Sequence, residues 1–301
     1  MNRPHDPRWA YVLVNLSTLL WSTNFALGRL LRSEIGPFTL TAARYVIASL
    51  IFAVLIRHAP AEDRRPGRHL PLLIGMGVAG VFLFGFLLYS GLARTTASSA
   101  ALINGTSPLT IGLLAALLLG ERFTRRMAAG GLISFAGVAV IVSGGSLAAL
   151  GRQELNPGNL LVLAAIVTWG VYSTLSRVVT RSRSALSATA WSSWAGLPLL
   201  LLAACLEWPT HPPHLTLPVI LAVIYIGVGP SVIAMLAWNE AVRRVGPGKV
   251  TAFYNMLPVY GALLGVLVLG EPFGPAQLVG GGLIIAGSLV STWGDFRPAV
   301  R

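Results

Sequence analysis

The stretch that decides the fold occurs twice: SPLTIGLLAALLLGERF covers residues 107–123, and LPVYGALLGVLVLGEPF covers residues 257–273, 150 positions later. Eight of the seventeen aligned positions are identical, and four of these are leucines that any apolar helix can supply. The other four matched pairs carry more weight: Pro108/Pro258, Gly120/Gly270, Glu121/Glu271 and Phe123/Phe273. They indicate an internal duplication.

Two further pairs of segments extend the repeat. LLWSTNF aligns with VTWGVYS and pairs Trp21 with Trp169. AAGGLISFAGVAVIV at 128–142 aligns with LVGGGLIIAGSLVST at 278–292, with three glycines at the same offsets. Convergence of two simple apolar sequences is the alternative explanation. The spread of the matches along the chain favours duplication.

The composition is that of a membrane protein. Hydrophobic residues make up 54% of the 301 residues and charged residues 11%, whereas soluble proteins carry roughly 25% charged residues. Because lipid offers the backbone no hydrogen-bond partners, and the alternation of barrel strands is absent, the long apolar stretches are predicted to be helices. The ten predicted spans are 9–28, 38–56, 70–92, 97–119, 128–146, 158–178, 185–206, 216–241, 247–269 and 275–293.

The predicted fold is an all-α integral membrane bundle forming one membrane domain. Its first repeat covers residues 1–150 and its second covers residues 151–301, with five spans in each. Since five is odd, the second repeat must enter the membrane from the opposite face. Ten transmembrane helices in two inverted five-helix repeats are an architecture of many transporters, which hold their substrate near the midplane between the repeats.

The 22 Lys and Arg residues are unevenly distributed. With ten spans and a cytoplasmic N-terminus, seventeen fall on the cytoplasmic side and four on the other, while Arg44 lies inside a span. Positive residues concentrate in cytoplasmic loops, so both termini are predicted to be cytoplasmic. This distribution explains the net charge of +12 without a nucleic-acid partner. The expected partners are the lipid bilayer and a small-molecule substrate.

A proline-centred fourth span that runs into LLLGER or LVLGEP, a glycine-rich fifth span and two five-helix repeats resemble the EamA family of the drug/metabolite transporter superfamily. Within that family the sequence is most similar to the YddG-type exporters of aromatic and other amino acids. The resemblance implies a secondary transporter that exports amino acids across a bacterial inner membrane without a cofactor. Arg44 fits the arginine in the family's second helix, whereas the second repeat has Trp191 at the corresponding position.

Pro108 and Pro258 are predicted near the centres of their spans. A mid-helix proline removes one backbone hydrogen bond and frees the carbonyl four residues earlier, here that of Asn104 or Tyr254. Freed carbonyls are unfavourable in lipid and should face protein or a wet cavity. We therefore expect both prolines to act as hinges beside a midplane site. A kink that serves packing alone is the alternative.

Helical spacing places amide and aromatic side chains of several spans on faces that should point inward. Aromatic walls and amides without a buried acid suit a neutral or zwitterionic, partly apolar molecule such as an amino acid. The predicted substrate-binding residues are Trp21, Asn24, Phe82, Phe86, Tyr89, Asn104, Trp169, Tyr172, Tyr254 and Asn255. For the stripe of Phe82, Phe86 and Tyr89, ordinary helix packing is an equal alternative.

Two charged residues are candidates for gating or coupling. Arg44 can attract a carboxylate or phosphate, although an arginine in such a place more often snorkels or binds backbone carbonyls. Glu240, near the inner end of its span, comes closest to a proton-coupling carboxylate. An interfacial ion pair with Arg243 and Arg244 is the alternative for Glu240.

Other classes of protein fit less well. All five histidines fall in tails or loops and no Asp falls in a predicted span, so neither catalysis nor metal binding is expected. The GxxxxGK[ST] motif for ATP is absent. A lipid flippase is the closer alternative, since it shares the architecture and differs in cargo. Small-residue patterns such as Gly130-xxx-Ser134 and Gly287-xxx-Ser291 permit close packing within the monomer or in a homodimer.

Overall fold

The computed structural model describes residues 7–95, 100, 103–142, 157–254, 256–270 and 274–292. Every regular element in these ranges is helical, and no strand occurs in them. The helices are α1 (Pro7–Leu31), α2 (Pro37–Arg57), α3 (Gly67–Leu92), α4 (Ser107–Leu119), α5 (Arg125–Val142), α6 (Pro157–Val179), α7 (Ala185–Glu207), α8 (Leu217–Val245), α9 (Pro247–Tyr254), α10 (Met256–Leu269) and α11 (Pro275–Thr292).

Within the described ranges, six helices contain a segment long and apolar enough to cross a membrane: α1, α2, α3, α6, α7 and α8. Shorter apolar segments occur in α4, α10 and α11. The chain is therefore an all-helical integral membrane protein, as the composition predicts.

The duplicated Gly-Glu sequence begins where a helix ends. Gly120 follows α4 with a left-handed φ of 66°, and its N–H donates to the Ala116 carbonyl at 3.1 Å. Gly270, the matching residue after α10, has a φ of 64°. Since residues with a Cβ rarely adopt this conformation, a shared kind of helix end explains the glycine pair of the repeat.

Pro108 lies at a helix start, and the prediction that it lies near a helix centre is wrong. For the matching Pro258 the prediction stays open, because the residues before and after Asn255 are helical and Asn255 itself lies outside the described residues. Gly105 and Thr106 form a turn, α4 begins at Ser107, and Pro108 lies in its first turn. Proline is favoured there since the first N–H groups of a helix have no partner within it. The hinge role of both prolines stays a prediction.

Two π-helical segments interrupt α3 and α8. They span Gly77–Leu83 and Gly229–Ile233. The offset of 150 that relates the two repeats also relates these segments, since it takes residue 80 of the first to residue 230 of the second. Pro230 has no N–H to donate, and the Ile226 carbonyl instead accepts the Ser231 hydroxyl at 2.9 Å. A π-helical segment changes which residues share a helix face and often marks a functional site. A search for a 3.6-residue period does not detect it.

α2 and α7 pack along each other and are joined at both ends. Glu207, the last residue of α7, accepts hydrogen bonds from the N–H groups of Phe38 at 3.2 Å and Thr39 at 2.7 Å, in the first turn of α2. Asp63, which follows α2, accepts the N–H of Ser184 at 3.3 Å, immediately before α7. Each carboxylate thus satisfies N–H groups that a helix start leaves without partners.

α5 and α11 approach each other through small residues. A Cβ on Gly130 would overlap the Gly287 carbonyl, and a Cβ on Gly287 would overlap the Gly130 carbonyl. Ser134 Oγ also donates to the Ile284 carbonyl at 3.4 Å. These small residues therefore pack within one chain. The Cβ position of Gly282, by contrast, has no neighbour within 4 Å among the described residues.

Candidate functional site

Six aromatic side chains from five helices meet inside the bundle. This aromatic cluster consists of Trp21 of α1, Phe84 of α3, Trp169 and Tyr172 of α6, Trp238 of α8 and Tyr254 of α9. The ring centroids of Trp21 and Trp169 lie 5.0 Å apart, edge to face, and those of Trp169 and Tyr172 stack at 4.9 Å. Edge-to-face and offset-stacked pairs are the arrangements that the charge distribution of aromatic rings favours.

The indole N–H groups of the cluster differ in their partners. Trp21 Nε1 donates to the Pro230 carbonyl at 2.9 Å, so the π-helical segment of α8 fixes this ring. Trp169 Nε1 and Trp238 Nε1 are buried without a hydrogen-bond partner in the described part of the chain. A buried donor without an acceptor is unfavourable and calls for an explanation. Of the two, Trp169 also lines the cavity described next, so its N–H is available to an acceptor on a bound molecule.

A small cavity lies against this cluster. The space in which the centre of a water molecule fits is about 20 Å³, which accommodates roughly one water molecule. The residues that line it are Trp21, Asn24, Phe25, Arg44, Tyr45, Phe84, Leu88, Trp169, Pro230, Met235, Tyr254 and Leu257. None of these described lining residues is acidic. The cavity must widen before a molecule as large as an amino acid can enter.

Arg44, Tyr89 and Asn24 form a polar chain at one side of the cavity. Arg44 Nη1 donates to Tyr89 Oη at 3.1 Å, and Tyr89 Oη donates to Asn24 Oδ1 at 3.4 Å. The guanidinium carbon of Arg44 lies 4.9 Å from the centroid of the Tyr45 ring. Arg44 is only 5% exposed, so its side chain stays in the interior and does not snorkel.

Two buried amides hold the phenolic hydroxyls of the cluster. Asn104 Nδ2 donates to Tyr254 Oη at 3.2 Å, and these residues stand 150 positions apart. Asn239 Nδ2 donates to Tyr172 Oη at 2.6 Å and to Thr189 Oγ1 at 2.7 Å. The cluster is therefore oriented by hydrogen bonds at its edges as well as by ring packing.

Seven predicted substrate-binding residues belong to the cluster or to the amide and tyrosine contacts beside it: Trp21, Asn24, Tyr89, Asn104, Trp169, Tyr172 and Tyr254. Phe82 and Phe86 lie elsewhere, because they stack on Phe38 with centroid distances of 6.2 and 4.1 Å. Phe82 and Phe86 thus share a helix face, as their spacing predicts, but this face does not line the cavity. Asn255 lies outside the described residues.

Glu240 is bound by its neighbours on α8. Its carboxylate accepts hydrogen bonds from Arg243 at 2.6 and 2.7 Å and from Arg244 at 2.7 Å. This is the ion pair that the sequence offered as the alternative to coupling. Glu240 does not line the cavity.

Sequence reasoning missed Phe84 and Trp238 of the aromatic cluster and Asn239 beside it. Phe84 does not lie on the predicted stripe of Phe82, Phe86 and Tyr89. Trp238 and Asn239 immediately precede Glu240, the residue of this span that was predicted to have a role. A tryptophan beside an amide within an otherwise apolar span was the signal available.

Comparison with known proteins divides the chain into the same two halves as the internal repeat. The sequence profile of the EamA-like transporter family matches residues 8–143 and, separately, residues 156–293. One solved crystal structure superposes with a TM-score of 0.74 at 28% sequence identity, covering 94% of this chain and 96% of the other.

Three curated relatives carry names that state a cargo. The aromatic amino acid exporter YddG of Ancylobacter novellus is 31% identical, over 91% of this chain and 93% of the relative. A protein of Streptantibioticus cattleyicolor, named "Probable terminal-alkyne amino-acid exporter", is 32% identical over 94% and 92%. An S-adenosylmethionine/S-adenosylhomocysteine transporter of Chlamydia trachomatis is 26% identical over 96% and 90%.

Proposed function

Since the chain belongs to the EamA-like transporter family, we propose that it is a secondary transporter that exports amino acids, including aromatic ones. The observation that carries the proposal is the aromatic cluster beside a small cavity. Trp21 comes from the first half of the chain and Trp169 from the second, and their rings are in contact. Small neutral or zwitterionic metabolites with an apolar part suit such walls.

The named relatives support this cargo class. Two of them, at 31% and 32% identity, are named for the export of amino acids. The third is named for S-adenosylmethionine and S-adenosylhomocysteine, which also contain an amino-acid group. All three names describe transporters, and none of them describes an enzyme.

We further propose ten transmembrane helices in two inverted repeats, residues 1–150 and 151–301, in a bacterial inner membrane with cytoplasmic termini. Equivalent features in the two halves support the duplication: the left-handed turns at Gly120 and Gly270, the π-helical segments of α3 and α8, and the mutual packing of α5 and α11. The contact between Asn104 and Tyr254, 150 positions apart, places equivalent residues face to face.

The mechanism that fits is alternating access. The cavity is too small for cargo in the present conformation, so transport requires that it widen towards one side at a time. The proposed hinges are Pro108, at the start of α4, and Pro258, since each stands four residues after a member of the Asn104–Tyr254 contact. Bending there moves the wall that Tyr254 forms.

The test is transport in liposomes that contain the purified protein. We expect uptake of labelled phenylalanine, methionine and threonine above protein-free vesicles, with mutual competition. Trp169→Ala and Tyr254→Ala should lower phenylalanine flux about tenfold or more, because each removes a large contact surface at the cavity. Trp208→Ala is the matched control, since Trp208 is 51% exposed at the end of α7 and its loss should leave flux unchanged.

Equal incorporation of all variants into the vesicles, measured by quantitative immunoblot, excludes a folding defect. Wild-type flux in both cavity variants would remove the site proposal. No flux of any amino acid by the wild-type protein would remove the cargo proposal. Fluorescent lipids would then be tested next, because a flippase is the alternative with the same architecture.

A further inference from the structure

Arg44 is a buried positive charge with no acidic partner among the described residues. Its side chain lines the cavity and is 5% exposed. The ion pairs of the described residues all lie elsewhere, and none involves Arg44. Burying a charge within a membrane is costly unless an opposite charge or several hydrogen bonds compensate for it. A charge buried at this cost calls for a functional explanation.

The groups around Arg44 compensate its charge only in part. Nη1 donates to Tyr89 Oη, the Tyr45 hydroxyl is a second hydrogen-bond partner of the guanidinium, and the guanidinium lies against the rings of both tyrosines. Nε is buried and has no hydrogen-bond partner among the described residues. Tyrosine rings and hydroxyls orient the guanidinium, but none of them carries a negative charge. The fork geometry of Arg therefore remains available to an anion.

The rest of the cavity likewise presents an unpaired donor and, among the described residues that line it, no negative charge. Trp169 Nε1 is buried without a partner, and the described residues that line the cavity include no carboxylate. Tyr89 already donates its hydroxyl hydrogen to Asn24, which leaves Arg44 as the strongest donor on that side. A molecule that brings a carboxylate would satisfy the arginine and neutralise its charge.

We propose that Arg44 is the subsite for the carboxylate of the transported molecule, with the aromatic cluster holding the apolar part. This inference rests on the proposed function and makes it more specific, since it defines the cargo as carboxylates. Neutral amides and amines of the same shape should be poor ligands. Tyr89 and Asn24 are positioning residues, because they act through the orientation of the guanidinium.

The test compares two ligands that differ only in charge, phenylacetate and phenylacetamide. Binding is measured by the tryptophan fluorescence of the purified full-length protein in lipid nanodiscs, since three tryptophans belong to the cluster. We expect the wild-type protein to bind phenylacetate about tenfold or more tightly than the amide, as a charge-assisted hydrogen bond provides. Arg44→Gln should bring this ratio close to one. Arg57→Gln, at the exposed end of the same helix, should leave it unchanged.

A purely structural role for Arg44 predicts a different pattern. It would lower the unfolding temperature of Arg44→Gln, whereas removal of an uncompensated buried charge should leave that temperature equal or raised. A wild-type ratio near one, or a ratio retained in Arg44→Gln, would overturn the subsite. If Arg44→Gln does not fold, Arg44→Lys is measured instead. Loss of the planar fork should reduce the preference for phenylacetate over phenylacetamide. An unchanged preference counts against the inference.

The proposed function is tested separately, by phenylalanine flux in liposomes. Absent flux combined with an Arg44-dependent preference for phenylacetate would remove amino-acid export and keep the carboxylate subsite. Flux that phenylacetate and phenylacetamide inhibit equally would keep export and remove the subsite.

Discussion

Trp21 and Trp169 carry the same side chain and touch each other, yet their hydrogen bonding differs. Trp21 Nε1 is tied to the carbonyl of Pro230, whereas Trp169 Nε1 has no partner in the described structure. Both rings are at least nine-tenths buried. We therefore assign Trp21 a structural role, because its hydrogen bond joins α1 to α8. We assign Trp169 a role in binding, because its N–H can be satisfied only by a bound molecule.

Replacing each tryptophan by phenylalanine separates the two roles. Trp21→Phe should destabilise the protein by about 0.5–1.5 kcal/mol more than Trp169→Phe, because only Trp21 loses a hydrogen bond and leaves a buried carbonyl without its donor. The measurement is the unfolding midpoint of both variants in the same detergent. Each substitution is the other's control for lost ring area, and equal midpoints would contradict the assignment.

Among the helices, the π-helical segment of α3 is held against α7 by direct backbone contact. A Cβ on Gly77 would lie 2.6 Å from the Ser192 carbonyl oxygen, and a Cβ on Gly196 would lie 2.6 Å from the Gly77 carbonyl oxygen. Such distances leave no room for a methyl group unless the helices separate. The two glycines thus fix the distance between α3 and α7.

Gly196→Ala should therefore lower stability by about 1–3 kcal/mol, the usual cost of overpacking. Gly282→Ala in α11 is the matched control, because its Cβ position has no described neighbour within 4 Å and alanine favours a helix over glycine by about 1 kcal/mol. Thermal unfolding followed by circular dichroism distinguishes the two. A Gly196→Ala midpoint equal to or above that of the wild-type protein would show that α3 and α7 separate without cost.

How much of these elements the sequence predicts depends on the kind of signal. Hydropathy locates the long helices to within a few residues, since a segment that crosses the hydrocarbon core must be apolar over about 20 residues. The repeat identifies Gly120 and Gly270, whose left-handed conformation demands glycine. Pro108 was misplaced because a proline suits a helix start as well as a kink. The π-helical segments were not predicted because their hydrogen bonding has no sequence period.

For the molecule as a whole, the proposed orientation follows from the positions of its arginines and can be tested with single cysteines. In a Cys205→Ser background, His211→Cys should react with a membrane-impermeant maleimide added to intact cells. Arg65→Cys should react only after the membrane is permeabilised, because the loop that contains it is rich in arginine and is retained in the cytoplasm. Both positions are exposed. The reverse labelling pattern would invert the proposed topology.

The two carboxylates that join α2 to α7 have a mechanical consequence. Glu207 and Asp63 bind opposite ends of the helix pair, so neither helix can slide along the other without losing hydrogen bonds at one end. One helix comes from each half of the chain. We expect α2 and α7 to move as one rigid pair and to serve as an axle of fixed length for the two halves. The halves would turn about this pair while the walls that carry the aromatic cluster open and close.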